Sequence, residues 1–280
     1  KWKVFLDTFQ KIRAEKYDVA IDFQGLIKSS FFTSLTGANY KVGFAEADLR
    51  ESYAKYFYNA TPHQSFEGNH IIHKNLSLLS IFNIYNGEPC SPNIFFSEED
   101  EISVKEELRK RDIGMFYLIH PYAGWKTKQW GLKNYAGVVK KFYKETGIRA
   151  LISWAPNEYA RAQRFALLCK EAAILSFPTT IGKLTALIQQ SLMVVGGDSG
   201  PLHIADSLQK PIIALYGPTK PYRTGPINPN AVVVYHQLDC SGCRKRNCPH
   251  HHINCMKSIT INEVSDTLFH VYKKIIAEQH

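Results

Sequence analysis

The sequence contains no long hydrophobic run. No apolar stretch in its 280 residues approaches the roughly 20 residues that a membrane-spanning helix needs, which argues against an integral membrane protein. Internal repeats and low-complexity tracts are also missing, which leaves an ordinary globular protein. The hydrophobic content of 45% and the chain length allow one sizeable core or two smaller ones.

An initiator methionine and a secretory signal are missing as well. The chain opens with KWKVFLDTFQKIRAEKYDVAIDF, which is typical of the middle of a protein, so we expect an N-terminal truncation. Because no signal peptide pattern is present, we expect a reducing compartment and free thiols or a metal rather than disulfides.

Acidic residues are the minority among the charged ones. The chain has 25 Asp and Glu against 34 Lys and Arg, which gives a net charge of +9. This balance favours anionic partners such as nucleotides, phosphorylated lipids, nucleic acid or a membrane surface. Many proteins are simply basic, so charge alone does not choose among these partners.

Strand-like and helix-like segments alternate between residues 115 and 217. The pattern predicts strands over 115–124, 149–156, 191–197 and 211–217, and helices over 132–146, 157–172, 181–190 and 201–209. Such alternation is typical of a parallel sheet with right-handed crossovers. A weaker version precedes residue 90, so the predicted fold class is α/β with two Rossmann-like domains, the first incomplete. We expect an N-terminal domain over 1–95, a C-terminal domain over 96–258, and a helix over 259–280 that packs back on the N-terminal domain.

The stretch GGDSGPLHIADSLQKPIIALYGPT, residues 196–219, concentrates the residues of a ligand site. The glycines allow a tight turn and close backbone approach. Asp198 or Ser199 can cap the helix that follows, and Pro201 suits its first turn. Free N–H groups at the start of that helix make an anion site, with phosphate or pyrophosphate as the natural ligand. The alternative is an ordinary capped turn in which His203 is a buried, hydrogen-bonded residue.

The same stretch resembles the signature of the bacterial heptosyltransferases, glycosyltransferase family nine. The matching residues are Asp198, Ser199, Gly200, His203, Pro211, Gly217, Pro218 and Thr219. Residues 15–30 and 120–135 are similar to further family segments in the same order. Residues 43–59 are similar to a segment of the enzymes that add the first heptose.

The resemblance implies a two-domain glycosyltransferase B fold. It implies an inverting transfer of heptose from ADP-heptose to the Kdo–lipid A inner core of lipopolysaccharide, with no metal or other cofactor needed for the chemistry. The enzyme would be cytoplasmic, peripheral on the inner face of the cytoplasmic membrane, and would bind no nucleic acid. The general base that such a reaction requires is expected in the missing N-terminal segment. A transferase for another nucleotide sugar is one alternative, and a nucleic-acid-binding protein with a Cys/His finger is a distant one.

The resemblance also assigns roles to residues. Lys128, expected to be exposed, would stabilise the departing diphosphate, and Asp198 would order the diphosphate turn by binding backbone N–H groups or sugar hydroxyls. Glu158 would hold the ribose or, with similar weight, would be only a charge favoured at a helix N-terminus. The other expected nucleotide-sugar residues are Gly197, Ser199, Gly200, His203, Gly217 and Thr219, and the expected acceptor residues are Asp22, Gln24, Lys28 and Arg50.

Four cysteines cluster near the C-terminus. Cys240, Cys243, Cys248 and Cys255 have the spacing C-x2-C-x4-C-x6-C. The first pair has the spacing of a metal knuckle, and the second pair is too wide for a zinc ribbon. Residues 250–252, all histidine, add possible ligands. A structural metal and a set of reduced thiols under a loop both remain open, and the neighbouring RKR sequence (244–246) could meet anionic lipid headgroups.

Overall fold

A computed structural model describes residues 2–66, 68–84 and 93–278, with side chains from residue 7 onward. The chain forms two compact units, Lys1–Cys90 and Ser91–His280. Both units are α/β with parallel strands, as the alternation predicts. None of the helices in the described ranges has the length and apolar character needed to cross a membrane.

The first unit is built around one strand–helix–strand crossover. Its described elements are α1 (Trp2–Ala14), β1 (Val19–Ile21), α2 (Ile27–Leu35), β2 (Tyr40–Val42) and α3 (Ile71–Leu76), with short 3-10 segments over Glu46–Asp48, Ser52–Phe57 and Ser77–Phe82. Strands β1 and β2 pair in parallel, with Val19 opposite Tyr40. A small core forms where Val42, Phe44 and Leu78 meet.

The second unit has a six-stranded sheet in the order β5-β4-β3-β6-β7-β8. Its strands are β3 (Phe116–His120), β4 (Arg149–Ile152), β5 (Ala173–Leu175), β6 (Val194–Gly197), β7 (Ile212–Tyr216) and β8 (Ala231–Tyr235). Its helices are α4 (Glu98–Lys110), α5 (Leu132–Thr146), α6 (Tyr159–Cys169), α7 (Ile181–Gln190), α8 (Gly200–Ser207), α9 (Pro221–Thr224), α10 (Asn254–Lys257) and α11 (Ile261–Ala277). All neighbouring strands run parallel, which is the doubly wound arrangement.

Helices cover both faces of this sheet. Successive side chains of a strand point to opposite faces, so Tyr117 packs with α5, α6 and α11, whereas Leu118 packs with α4, α7 and α8. All five residues of β3 are buried. A strand buried on both faces reads in sequence as a continuous apolar run, which is why the core strands were predictable.

The C-terminal helix α11 joins the core of the second unit. Val264, Leu268 and Val271 are buried there, and Phe142 of α5 contacts Phe269 with ring centroids 5.2 Å apart. A Thr260 hydroxyl that accepts from the Glu263 N–H caps the helix start. The predicted contact of this helix with the N-terminal domain, and the predicted domain bounds, stay predictions.

Candidate active site

The sheet of the second unit has a topological switch point between β3 and β6. These strands are neighbours, but α5 follows β3 on one face and α8 follows β6 on the other. The diverging connections open a crevice at the carboxyl ends of the two strands, where ligands bind in folds of this type. The loop at 121–131, within the segment that resembles the family, and the glycine-rich turn at 196–200 lie at this crevice.

An ion pair joins the two loops across the crevice. Lys128 Nζ lies 2.6 Å from Asp198 Oδ2, and His203 Nε2 lies 3.3 Å from Asp198 Oδ1. The expectation that Lys128 is exposed is wrong, because its side chain is 15% accessible and its Nζ lies 4.5 Å from the Trp125 ring centroid. Asp198 accepts from these two side chains instead of the backbone N–H groups that the sequence suggested.

The Asp198 carboxylate is strongly held in its charged form. Burial opposes its ionisation, but hydrogen bonds from His203 and Lys128, together with the Lys128 charge, outweigh burial and lower its pKa to about 2. The Thr219 side chain also favours the charged form. Perturbed carboxylates with a cationic partner in a crevice are frequent in functional sites.

Gly196 provides the close backbone approach expected of the motif. A Cβ built on Gly196 would lie 2.9 Å from the carbonyl oxygen of His120 in the neighbouring strand, closer than a side chain tolerates. Ser199 stands at the N-cap position of α8, but its side chain makes no capping hydrogen bond. Its Oγ is buried without a hydrogen-bond partner among the described residues, so this hydroxyl can serve a ligand.

A cavity of about 250 Å³ continues from this site along the carboxyl ends of the strands. Its lining includes His120, Ser153, Glu158, Thr180 and Pro201, which lie at or just beyond the carboxyl ends of β3, β4, β5 and β6. Glu158 Oε2 accepts from the Ala155 N–H at 2.9 Å in the turn that leads into α6. Its other carboxylate oxygen is left for a ligand.

His120 is a residue that the sequence analysis did not single out. It is 7% exposed, its Nδ1 lies 3.0 Å from Ser153 Oγ, and it lines the cavity. Burial lowers its pKa, only partly opposed by the nearby Glu158 charge, so the imidazole is neutral at pH 7. Its position as the last residue of the strand at the switch point was the available signal.

In the first unit, the Asp22 carboxylate is buried and hydrogen-bonded to neighbouring segments. It is 4% exposed and accepts from the Gln24 N–H at 2.8 Å, from Ser29 Oγ at 2.7 Å and from Tyr58 OH at 2.6 Å. These hydrogen bonds hold the turn that leads into α2. Asp22 therefore shapes this surface instead of presenting a free carboxylate.

The other three predicted acceptor residues lie on adjacent segments. Gln24 and Lys28 are exposed at the start of α2, and Arg50 is exposed on a neighbouring turn. The Arg50 N–H donates to the Gly25 carbonyl at 3.1 Å, which joins the two segments. The contact of these side chains with an acceptor stays a prediction.

The four clustered cysteines lie around one small cavity. All four thiols are free and line a cavity of about 10 Å³ with His250 and His252. Burial, followed by the neighbouring thiols, raises the pKa of Cys255 to about 11. In the parts of the chain that the structure describes, no three His, Cys, Asp or Glu side chains are arranged to hold a metal ion, and the structural metal at the four cysteines stays a prediction.

The parallel α/β architecture is the fold of solved glycosyltransferases of the B-fold type. The structure is similar to that of Escherichia coli ADP-heptose lipopolysaccharide heptosyltransferase II, with a TM-score of 0.74 and 19% identity, covering 97% of this chain and 80% of that one. It is also similar to E. coli heptosyltransferase WaaC with ADP, with a TM-score of 0.68 and 22% identity, covering 94% and 75% of the two chains. The predicted fold class is confirmed.

Residues 5–254 match glycosyltransferase family 9 (heptosyltransferase), and the chain belongs to this family. It is 27% identical to lipopolysaccharide heptosyltransferase 1 of Pseudomonas aeruginosa over 250 residues, which are 89% of this chain and 67% of that protein. It is 25% identical to lipopolysaccharide core heptosyltransferase OpsX of Haemophilus influenzae, covering 84% and 68% of the two chains. The family resemblance drawn from the motif is confirmed, and the protein is a glycosyltransferase.

Proposed function

We propose that this protein transfers heptose from ADP-heptose to the lipopolysaccharide inner core with inversion at the anomeric carbon. The observation that carries the proposal is the Lys128–Asp198–His203 cluster at the switch point of a family 9 chain. A cation beside a helix start is suited to a diphosphate leaving group.

The donor would lie along the carboxyl edge of the sheet. The cavity beside Glu158 and His120 has room for a nucleoside, with the free oxygen of Glu158 on the ribose hydroxyls. The diphosphate would then reach the start of α8. There the backbone at Gly197, Gly200 and Gly217 allows close approach, and further contacts come from Ser199, His203 and Thr219.

Lys128 would assist departure of the ADP. As the bond between the anomeric carbon and the diphosphate oxygen breaks, negative charge grows on that oxygen, and a fixed ammonium stabilises it. Lys128 is already held at the crevice by Asp198 and Trp125, so it has little conformational freedom left to lose. Asp198, once Lys128 turns to the diphosphate, is free to accept from sugar hydroxyls.

The acceptor side belongs to residues 1–95 in this proposal, and the donor side to 96–258. Gln24, Lys28 and Arg50 would bind the carboxylates and phosphates of the Kdo–lipid A acceptor.

Exposed aromatic side chains accompany these cations: Phe23, Phe31, Tyr53 and Tyr56 are each at least 40% accessible. Aromatic rings among basic residues support peripheral attachment to an anionic membrane surface on the cytoplasmic side. The proposed chemistry uses no metal and no resident cofactor.

Ligand protection against thermal unfolding tests the donor. ADP-heptose and ADP should stabilise the protein by about 2.7 kcal/mol at a concentration one hundred times Kd, which raises Tm measurably. UDP and GDP at the same concentration should have little effect. Stronger protection by UDP or GDP would favour a transferase for another nucleotide sugar. DNA binding that falls steeply with salt, without any nucleotide effect, would favour the nucleic-acid alternative.

A further inference from the structure

A short basic loop beside the donor crevice has no part in the function described so far. The basic loop, residues 242–247, exposes Arg244, Lys245 and Arg246 to solvent. In the described ranges, none of these three side chains forms an ion pair with a carboxylate. Three unmatched positive charges on three consecutive residues favour an anionic ligand over a purely structural turn.

The basic loop is bonded to two neighbouring loops, the one after β7 and the one after β3 that carries Lys128. The Gly242 N–H donates to the Gly217 carbonyl at 3.3 Å, and the Arg244 N–H donates to the Pro218 carbonyl at 2.8 Å. On the other side, Thr127 Oγ1 donates to the Lys245 carbonyl at 2.8 Å. These bonds set the position of the loop backbone relative to Lys128, the residue that follows Thr127.

Arg246 and Lys128 share one aromatic ring. The Arg246 guanidinium carbon lies 5.8 Å from the Trp125 ring centroid, and Lys128 Nζ lies 4.5 Å from the same centroid. Both distances are within the range of cation–π contacts. Lys128 is balanced by Asp198, whereas Arg246 has no anionic partner there. An anion at the crevice would therefore meet two cations that a single ring holds in place.

We propose that Arg246 is a second cationic residue for the diphosphate of the nucleotide donor and acts beside Lys128. This inference rests on the proposed donor function. Arginine suits the task because its planar guanidinium donates two parallel hydrogen bonds to phosphate oxygens and stacks on aromatic faces. The donor diphosphate is favoured over an acceptor headgroup because the basic loop is bonded to the same backbone segments that form the donor crevice.

Binding of nucleotides by calorimetry tests this role. The variants are Arg246→Gln, the conservative Arg246→Lys, and Arg109→Gln as a matched control, since Arg109 is an exposed arginine in the last turn of α4. Removal of a charged hydrogen-bond donor should weaken ADP binding roughly tenfold or more. Adenosine, which has no phosphate, should bind all variants equally, and Arg246→Lys should recover part of the ADP affinity at low salt.

Each outcome separates this inference from the function on which it rests. If wild-type protein binds ADP and Arg246→Gln binds it equally well, the role of Arg246 is refuted and the donor function stands. The same holds if Arg246→Gln changes only binding to vesicles of anionic lipid, which would assign the loop to headgroups. If wild-type protein binds no ADP at all, both proposals fail. Equal Tm values of Arg246→Gln and wild type would show that a lost affinity is not caused by unfolding.

Discussion

The ion pair between Lys128 and Asp198 can be measured by a double-mutant cycle with Lys128→Met and Asp198→Asn. The pKa of Asp198 falls from 3.8 to about 2 in the folded protein. At 1.36 kcal/mol per unit, its surroundings favour the charged carboxylate by about 2 kcal/mol. Both side chains are largely buried, at 15% and 7% accessible. Either single replacement leaves the other group without its main partner, so we expect each to destabilise the protein.

The coupling energy between Lys128 and Asp198 can be compared with the energies typical of buried and of exposed ion pairs. Removal of one partner from a fully buried ion pair destabilises a protein by about 3–5 kcal/mol. An exposed ion pair contributes less than about 1 kcal/mol to stability. For this partly buried pair we expect a coupling of about 1–2 kcal/mol, with the double variant more stable than the sum of the single effects predicts. Lys128→Met should also reduce turnover by about 10²–10³ if the ammonium stabilises the leaving diphosphate.

Urea unfolding at pH 7.5, followed by tryptophan fluorescence, provides the assay. Trp130 and Trp154 lie in the second unit and report on its unfolding. The pair Lys141–Asp266 provides the control cycle, because it joins α5 and α11 at 3.5 Å with side chains 41% and 74% accessible. Its coupling should stay below about 0.5 kcal/mol. If the Lys128–Asp198 coupling is no larger than this control, the two groups do not form the electrostatic centre of the site.

Two further predictions concern the strand ends around the crevice. Gly196→Ala should destabilise the protein by about 1–3 kcal/mol, because the new Cβ would lie 2.9 Å from the His120 carbonyl oxygen. In the same urea assay Gly124→Ala should be near neutral, because Gly124 has open space around it. Equal effects of the two variants would contradict the steric argument. His120 has a lowered pKa caused by burial, so it stays neutral in the folded state while the unfolded chain takes up a proton near pH 6.5. Stability should therefore fall as pH decreases from about 7 to 5, by up to 1.36 kcal/mol per pH unit, and His120→Gln should reduce this slope. An identical slope in the variant would show that His120 titrates normally.

The pattern of helices and strands was largely accessible from the sequence. Helices α5 and α7 have the predicted bounds, because their buried residues recur at helical spacing between clear stop signals. Predicted strands ran too long, since buried side chains continue into the loops; Tyr122, beyond the end of β3, is 0% exposed. Strand β8 was missed. It lies at the edge of the sheet, and only one of its five residues is buried. Its sequence AVVVY, which follows the turn-forming residues 228–230, was the available signal.

The location of the site was predictable, and its internal contacts were not. In an α/β fold, ligands bind beyond the carboxyl ends of the strands, so a glycine-rich turn directly after a buried strand predicts where a ligand site lies. The partner of Asp198 lies 70 positions earlier in the chain, and only the sheet order brings Lys128 beside it. Without knowledge of the sheet order, the sequence predicted that Lys128 is exposed in a loop and that Asp198 binds backbone N–H groups or sugar hydroxyls.

A carboxylate in the proposed diphosphate site has a physical reason in this arrangement. Without a nucleotide, the start of α8, Lys128 and the basic loop would leave positive charge unbalanced, and Lys128 would turn to solvent. Asp198 supplies an internal anion that holds the ammonium at the crevice, over Trp125. An incoming diphosphate must compete with Asp198, which lowers donor affinity, but it meets a lysine that has already lost its conformational freedom and most of its water. Replacement of Asp198 by asparagine should then raise affinity for ADP while turnover falls, because the ammonium is no longer held in position for the transition state.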